Sequence, residues 1–181
     1  VSAAAVALVL AAATGVTGVT APGCGGSTGG DSRMPGSAAA VPVAVGDRAP
    51  TFSLPSLNGG GPLEIAPGKV VLVDFWATWC VPCKKSFPKL QELYAKYRSR
   101  GLEVVGVSVD EERTGIAEFA RREGAKFPVG WDDGKAVSAQ YRPESMPSSY
   151  VVGRDGIVKH VHRGYHEGDE AVIEREIAAL L

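Results

Sequence analysis

Apolar and polar positions along this chain fall into three unlike regimes. From Val1 to Gly30 no charged residue occurs, and Val6 to Ala13 (VALVLAAA) is an apolar run that Gly15, Thr17 and Gly18 then break. A membrane helix wants about 20 uninterrupted apolar residues, whereas about 7–15 followed by small residues suits a secretory leader. Residues 1–24 are therefore expected to be a leader, although it lacks the basic residues that usually precede such a run and the true start of the chain is left open. Residues 25–45 (GGSTGGDSRMPGSAAAVPVAV) are mostly Gly, Ser, Ala and Pro. They carry too little apolar surface to form a core and are expected to be a flexible linker.

From residue 46 to 181 the patterning is that of one folded domain, long enough to bury a single core. Val70 to Ala77 (VVLVDFWA) and Leu102 to Val109 (LEVVGVSV) are nearly unbroken β-branched and aromatic runs, as expected of strands covered on both faces. Between them Leu90, Leu93, Tyr94 and Tyr97 recur at the spacing of one helical face. A second helix is expected over Ile116 to Glu123, a short strand over Phe127 to Trp131 and a third helix over Lys135 to Tyr141. Tyr150 to Val152 and Ile157 to Val161 flank Gly153-Arg154-Asp155-Gly156, whose Asp-Gly pair predicts a hairpin. A last helix places Ile173, Ile177 and Leu180 on one side. Strands alternating with helices give an α/β fold.

Composition narrows the function. With 181 residues, 45% hydrophobic, 22% charged and 19 basic against 20 acidic residues, the chain is of ordinary globular make-up and has no basic block, so nucleic acid is not an expected partner. Its three cysteines, Cys24, Cys80 and Cys83, are too few for a disulfide scaffold. Cys24 follows Thr20-Ala21-Pro22-Gly23 at the end of the leader. The stretch resembles the lipobox of bacterial lipoproteins, which would make Cys24 a lipid attachment point; the alternative is a cysteine in an unstructured leader.

Cys80-Val81-Pro82-Cys83 stands where a buried strand gives way to a helix. A helix N-terminus offers unpaired N–H groups and about half a positive charge, which favour a thiolate. A free thiol with a pKa of about 8.5 is about 3% ionised at pH 7, and lowering the pKa to about 7 raises this roughly 16-fold. Nucleophilicity falls about fivefold over the same shift, so the net gain in attack is only about threefold. The larger benefit is a better leaving group, hence reversible exchange. Cys80, at the mouth of the helix, is the expected attacking sulfur, and Cys83, one turn in, the resolving one. Pro82 suits the first helical turn, and Pro88 is expected to kink the helix.

Val73 to Lys84 (VDFWATWCVPCK) resembles the active-site segment of the thioredoxin superfamily. VGDRAPTFSLPSLNG, from Val45 to Gly59, looks like the opening of its TlpA/ResA/DsbE-like envelope branch, which also shares sequence character with peroxiredoxins. Leu102 to Glu111 and Phe127 to Tyr141 are similar to that branch's central strands and to its extra strand–helix insert. The resemblance implies a thioredoxin-like fold, a central mixed β-sheet flanked by helices, with a redox-active Cys80–Cys83 disulfide and no other cofactor or metal. It also implies that Asp74 shuttles a proton to and from Cys83; the bland alternative is a solvated carboxylate at a sheet edge. Pro147, in Ser145-Met146-Pro147-Ser148-Ser149, matches the family's cis-proline, with Met146 offering its backbone to a bound peptide. Trp79 and Pro82 complete the expected substrate-binding set, Trp79 either shielding the sulfurs or serving as core. Ser148 stands where the family commonly has threonine, and Arg142-Pro143 where it has Gly-Val. Glu144 is left between tuning the thiols and a surface ion pair.

A zinc site would need four ligands, and His162 and His166 lie too far along the chain from the cysteines for a finger pattern. A Cu(I)-binding chaperone of thioredoxin fold is a reading from another class, since two thiolates suit Cu(I). A peroxidase is a third, because Thr78-Trp79-Cys80 echoes part of the peroxiredoxin pattern. The expectation is a monomeric thiol–disulfide oxidoreductase on the periplasmic side of a bacterial envelope, held to the membrane by its N-terminal anchor. Its expected partners are protein disulfides, such as those of apocytochrome c or a copper-site protein, and an upstream thiol donor.

Overall fold

A computed structural model describes residues 41–181. The leader run, Cys24 and all but the end of the 25–45 stretch lie outside these residues. In chain order the elements are β1 (Ser53–Leu54), β2 (Leu63–Glu64), β3 (Val70–Trp76), α1 (Val81–Tyr97), β4 (Leu102–Ser108), α2 (Ile116–Arg122), β5 (Val129–Trp131), α3 (Ala136–Tyr141), β6 (Ser148–Val152), β7 (Val158–Arg163) and α4 (Asp169–Leu180). Short 3-10 turns follow α1 and precede α3. Among the described residues no helix is long and apolar enough to cross a membrane.

A five-stranded sheet in the order β5-β4-β3-β6-β7 forms the centre. β3, β4 and β5 are parallel, while β6 and β7 each run antiparallel to the preceding neighbour, so the sheet is mixed. All seven residues of β3 are buried, as its sequence predicts for a strand between two layers. Successive side chains of a strand point to opposite faces. Val70, Leu72 and Trp76 accordingly pack with Phe87, Leu90 and Leu93 of α1, Phe119 of α2 and Ile173 and Ile177 of α4. Val71, Val73 and Phe75 enter the other cluster, with Val137 and Tyr141 of α3. Asp74 shares the parity of Leu72 and Trp76 and so lies on the α1 face.

Several boundaries differ from the sequence expectation. Val43, read as linker, is buried against the α3 layer, and its N–H donates to Tyr141 O at 3.1 Å. The end of the linker segment is thus docked, because one of its three closely spaced valines finds an apolar face that only the folded domain supplies, while Val41 and Val45 stay exposed. Phe127 is fully buried but precedes β5, which begins at Val129. α3 begins one residue later than expected. The buried Asp132 carboxylate accepts from Val137 N at 2.9 Å and Ser138 N at 2.7 Å and so caps it from across the 3-10 turn. Leu180 and Tyr94, expected on buried faces, are only partly covered.

Candidate active site

The site is built at the carboxyl end of β3. Three residues, Ala77, Thr78 and Trp79, turn the chain into α1, and the turn is clamped by Asp110, which follows β4. Its carboxylate accepts from Thr78 N at 3.1 Å, from Thr78 Oγ1 at 2.6 Å and from Ser108 Oγ at 2.7 Å. Trp131 Nε1 and Lys135 Nζ donate to the Asp110 carbonyl at 2.9 and 2.6 Å. The proton of the Thr78 hydroxyl is therefore committed to Asp110 rather than to a sulfur. Sequence reasoning missed Asp110; the only signal was an acid directly after a buried strand.

Cys80 is the N-cap of α1, its Sγ accepting from Cys83 N at 3.2 Å, with proline in the first turn. Cys80 and Cys83 form a disulfide with an S–S distance of 2.03 Å. Cys83 is fully buried and Cys80 keeps 3% of its surface, so the little surface that the pair presents belongs to Cys80. α1 then runs through Pro88 without ending, burying Cys83, Ser86, Phe87, Leu90, Leu93 and Tyr97 along one face. Trp79 is not core: it is 66% exposed beside Val81 at 65%. An exposed aromatic and an exposed valine flanking a nearly buried disulfide make an apolar rim.

The Met146–Pro147 peptide bond is cis. Ser148 Oγ donates to Ser145 O at 2.7 Å, and Gly164 N to Pro147 O at 2.8 Å, which fixes this loop to the start of β6 and the end of β7. Met146 and Trp79 line one open groove, whose far wall is Ala139, Arg142 and Pro143 at the end of α3. The groove joins the loop before the disulfide, the cis-proline loop and the strand–helix insert. Pro82 is exposed on the first turn of α1 and does not line the groove.

Asp74 is fully buried, not a solvated edge carboxylate. It faces Ser149 across the β3–β6 pairing, and Ser149 Oγ donates to Asp74 Oδ1 at 2.6 Å. The other carboxyl oxygen, Oδ2, has no hydrogen-bond partner among the described residues. Burial pushes the Asp74 carboxyl from 3.8 up to about 7, the Ser149 hydrogen bond holding it back in part. A carboxyl half-ionised near neutrality, on the same face of the sheet as Cys83, is suited to exchange protons with a thiol.

The remaining polar candidates pair with one another. Glu144 forms a surface ion pair with Arg163. His160 Nδ1 and His162 Nε2 meet the two carboxylate oxygens of Glu176 at 3.1 and 2.6 Å, and His166 lies 3.3 Å from Asp169. His162 and His166 are thus drawn to different acids of α4, away from a shared zinc geometry with the cysteines. Among the described residues no group of three His, Cys, Asp or Glu could hold a metal ion.

The pattern of the AhpC/TSA family matches residues 45–161. The thiol-disulfide oxidoreductase ResA of Bacillus thuringiensis is 36% identical over 115 residues, 63% of this chain and 66% of that protein. The chain thus spans just under two thirds of that relative's length. ResA of Geobacillus kaustophilus is 34% identical over 139 residues, 76% of this chain and 79% of that one. Among solved structures, a Chlorobium tepidum protein provisionally assigned as the thiol:disulfide interchange protein DsbE superposes with a TM-score of 0.71 at 34% identity. That match covers 76% of this chain and 98% of the other. The thioredoxin-like fold expected from the sequence is the fold observed.

Proposed function

The chain belongs to the AhpC/TSA family, and on that premise we propose that it is a thiol–disulfide oxidoreductase that reduces protein disulfides through Cys80 and Cys83. The observation that carries the reading is the Cys80–Cys83 disulfide at the N-terminus of α1, next in the chain to Trp79, which lines a groove with Met146, with buried Asp74 on the face that holds Cys83.

The reaction begins from the dithiol. The Cys80 thiolate, favoured by its place at the N-cap, attacks one sulfur of the substrate disulfide. A Cys80–substrate bond forms, the substrate S–S bond breaks, and the leaving sulfur departs as a thiolate. Ionised Asp74 takes the proton from the Cys83 thiol. The Cys83 thiolate attacks Cys80 Sγ, forming the intramolecular disulfide and expelling the second substrate thiolate. Two electrons pass to the substrate, whose thiolates take up two protons, and an upstream thiol donor reverses the change. An extended peptide lying against the cis-proline loop meets Met146 on one side and the apolar rim of Trp79 and Val81 on the other.

The proposed setting is the periplasmic side of a bacterial envelope, with a monomer anchored through lipidated Cys24. Haem-binding cysteines of apocytochrome c or the copper site of an oxidase are the proposed substrates. These rest on the leader pattern and the family resemblance. The purified protein is expected to catalyse disulfide reduction with dithiothreitol. Cys80→Ala abolishes turnover, and Cys83→Ala accumulates a mixed disulfide that mass spectrometry identifies. Full turnover by Cys80→Ala refutes the assignment, while stoichiometric Cu(I) retention without turnover replaces it by the copper-binding reading.

A further inference from the structure

The strand after the cis-proline carries two adjacent serines, and the structure gives them different tasks. Ser148 turns its hydroxyl back to Ser145 O at 2.7 Å and closes the loop. Ser149, next in line, points to the opposite face of the sheet, where it is directly opposite Asp74 in the antiparallel register. Its hydroxyl donates to Asp74 Oδ1 at 2.6 Å, and among the described residues this is the one side-chain hydrogen bond on that carboxyl. Both groups are buried, Ser149 at 6% exposure and Asp74 at zero. The rest of β6 toward its C-terminus, Tyr150 to Val152, carries no comparable short hydroxyl on this face.

From this geometry we infer that Ser149 is a positioning residue for the exchange reaction: its hydroxyl holds Asp74 in place, stabilises its ionised form and thereby sets the pH at which Cys83 can be deprotonated. The inference rests on the acid–base role given to Asp74 above. A hydroxyl carries one proton and two lone pairs. Ser149 spends the proton on Oδ1, so it stabilises the carboxylate, which accepts, more than the neutral acid. In a fully buried site with one such bond, removing it leaves nothing to offset desolvation, and the proton is held more tightly. The sign follows: loss of the hydroxyl moves the ionisation of Asp74 to higher pH, and the rising limb of turnover moves with it. Ser149 also lines a narrow cavity between α1 and α4, whose titratable groups are Lys89 of α1, Tyr165, and Asp169 and Glu170 of α4. Threonine is the substitution that keeps a hydroxyl at this position.

The test compares Ser149→Ala and Ser149→Thr in the full chain. Asp74 is titrated by carboxyl carbon NMR, with Asp74→Asn identifying its signal, and the pH profile of protein-disulfide reduction is recorded alongside. Ser149→Ala is expected to raise the Asp74 midpoint by about one unit or more, about a tenfold change in proton affinity, and to shift the rate profile equally. Ser149→Thr is expected to restore both. An unmoved midpoint in Ser149→Ala overturns the inference, as does an equal shift in Ser149→Thr. A midpoint that moves while the rate profile stays still supports Ser149 as the partner of Asp74 and instead overturns the acid–base role of Asp74.

Discussion

Replacing Asp74 by asparagine should make the protein more stable at neutral pH and a poorer catalyst. Asp74 is fully buried with a single hydrogen bond, and its carboxyl titrates at about 7 in the fold against 3.8 for the ordinary group. Because its folded pKa is raised, the native state binds the proton more tightly than the unfolded chain does. Between about pH 4 and pH 7 the folded form stays protonated while the unfolded form ionises, so stability falls as pH rises and levels off above pH 7. A shift of about three units corresponds to about 4 kcal/mol at the plateau. Asparagine keeps the acceptor for Ser149 Oγ and cannot ionise. It places an NH2 where Oδ2 now lacks a partner among the described residues, a cost of about 1–3 kcal/mol that does not vary with pH. The diagnostic quantity is therefore the change with pH of the stability difference between variant and parent. Urea unfolding of both oxidised proteins at pH 4.5 and pH 8 should give a difference that grows by about 3 kcal/mol in favour of Asp74→Asn. Disulfide reduction at pH 7 should fall about 100-fold, the low end for a positioned acid–base group. A stability difference that is the same at both pH values refutes the argument that Asp74 is held against its own ionisation.

Three further outcomes follow from the packing. Gly106→Ala places a methyl 3.1 Å from Trp76 Nε1 and 3.3 Å from a ring carbon of Phe127, in a part of the core with no slack, and should cost about 1–3 kcal/mol in thermal unfolding. Asp110→Ala removes the acceptor of Thr78 N, Thr78 Oγ1 and Ser108 Oγ. It should cost about 2–3 kcal/mol and slow disulfide exchange, measured by denaturant unfolding and by turnover on the same preparation. Trp79→Ala removes an exposed side chain, so stability should stay within about 0.5 kcal/mol of the parent. Its KM for a protein disulfide should rise severalfold while reduction of a small disulfide is unchanged, a split that steady-state kinetics on the two substrates resolves.

Local features of the fold were legible because local chemistry produces them. Seven consecutive buried residues in β3 follow from a run of β-branched and aromatic side chains, and the β6–β7 hairpin from Asp155-Gly156, where Gly156 adopts a φ of 75°. The Cys80-Val81-Pro82-Cys83 segment at a strand-to-helix junction located the disulfide-bonded pair without any tertiary information. The contacts that tune the site were not legible. The Asp74–Ser149 bond joins positions 75 residues apart and the Thr78–Asp110 clamp positions 32 apart. Nothing in a serine or an aspartate announces such a partner. Val43 shows the same limit for burial, since which of Val41, Val43 and Val45 is covered depends on the surface that the finished fold leaves beside it.

What the sequence determined by itself was the chemistry and the kind of element that bears it: two sulfurs one helical turn apart, a strand buried on both faces, a proline before a strand. These depend on covalent spacing and on hydrophobic period, which neighbours in the chain settle. The tertiary structure alone decided the strand order β5-β4-β3-β6-β7, and with it that an acid and a serine meet face to face out of water. Only closure of the sheet brings β6 against β3. The proton affinity of Asp74 is set by the solvent it loses and the single hydroxyl it gains, neither of which exists until the chain has folded.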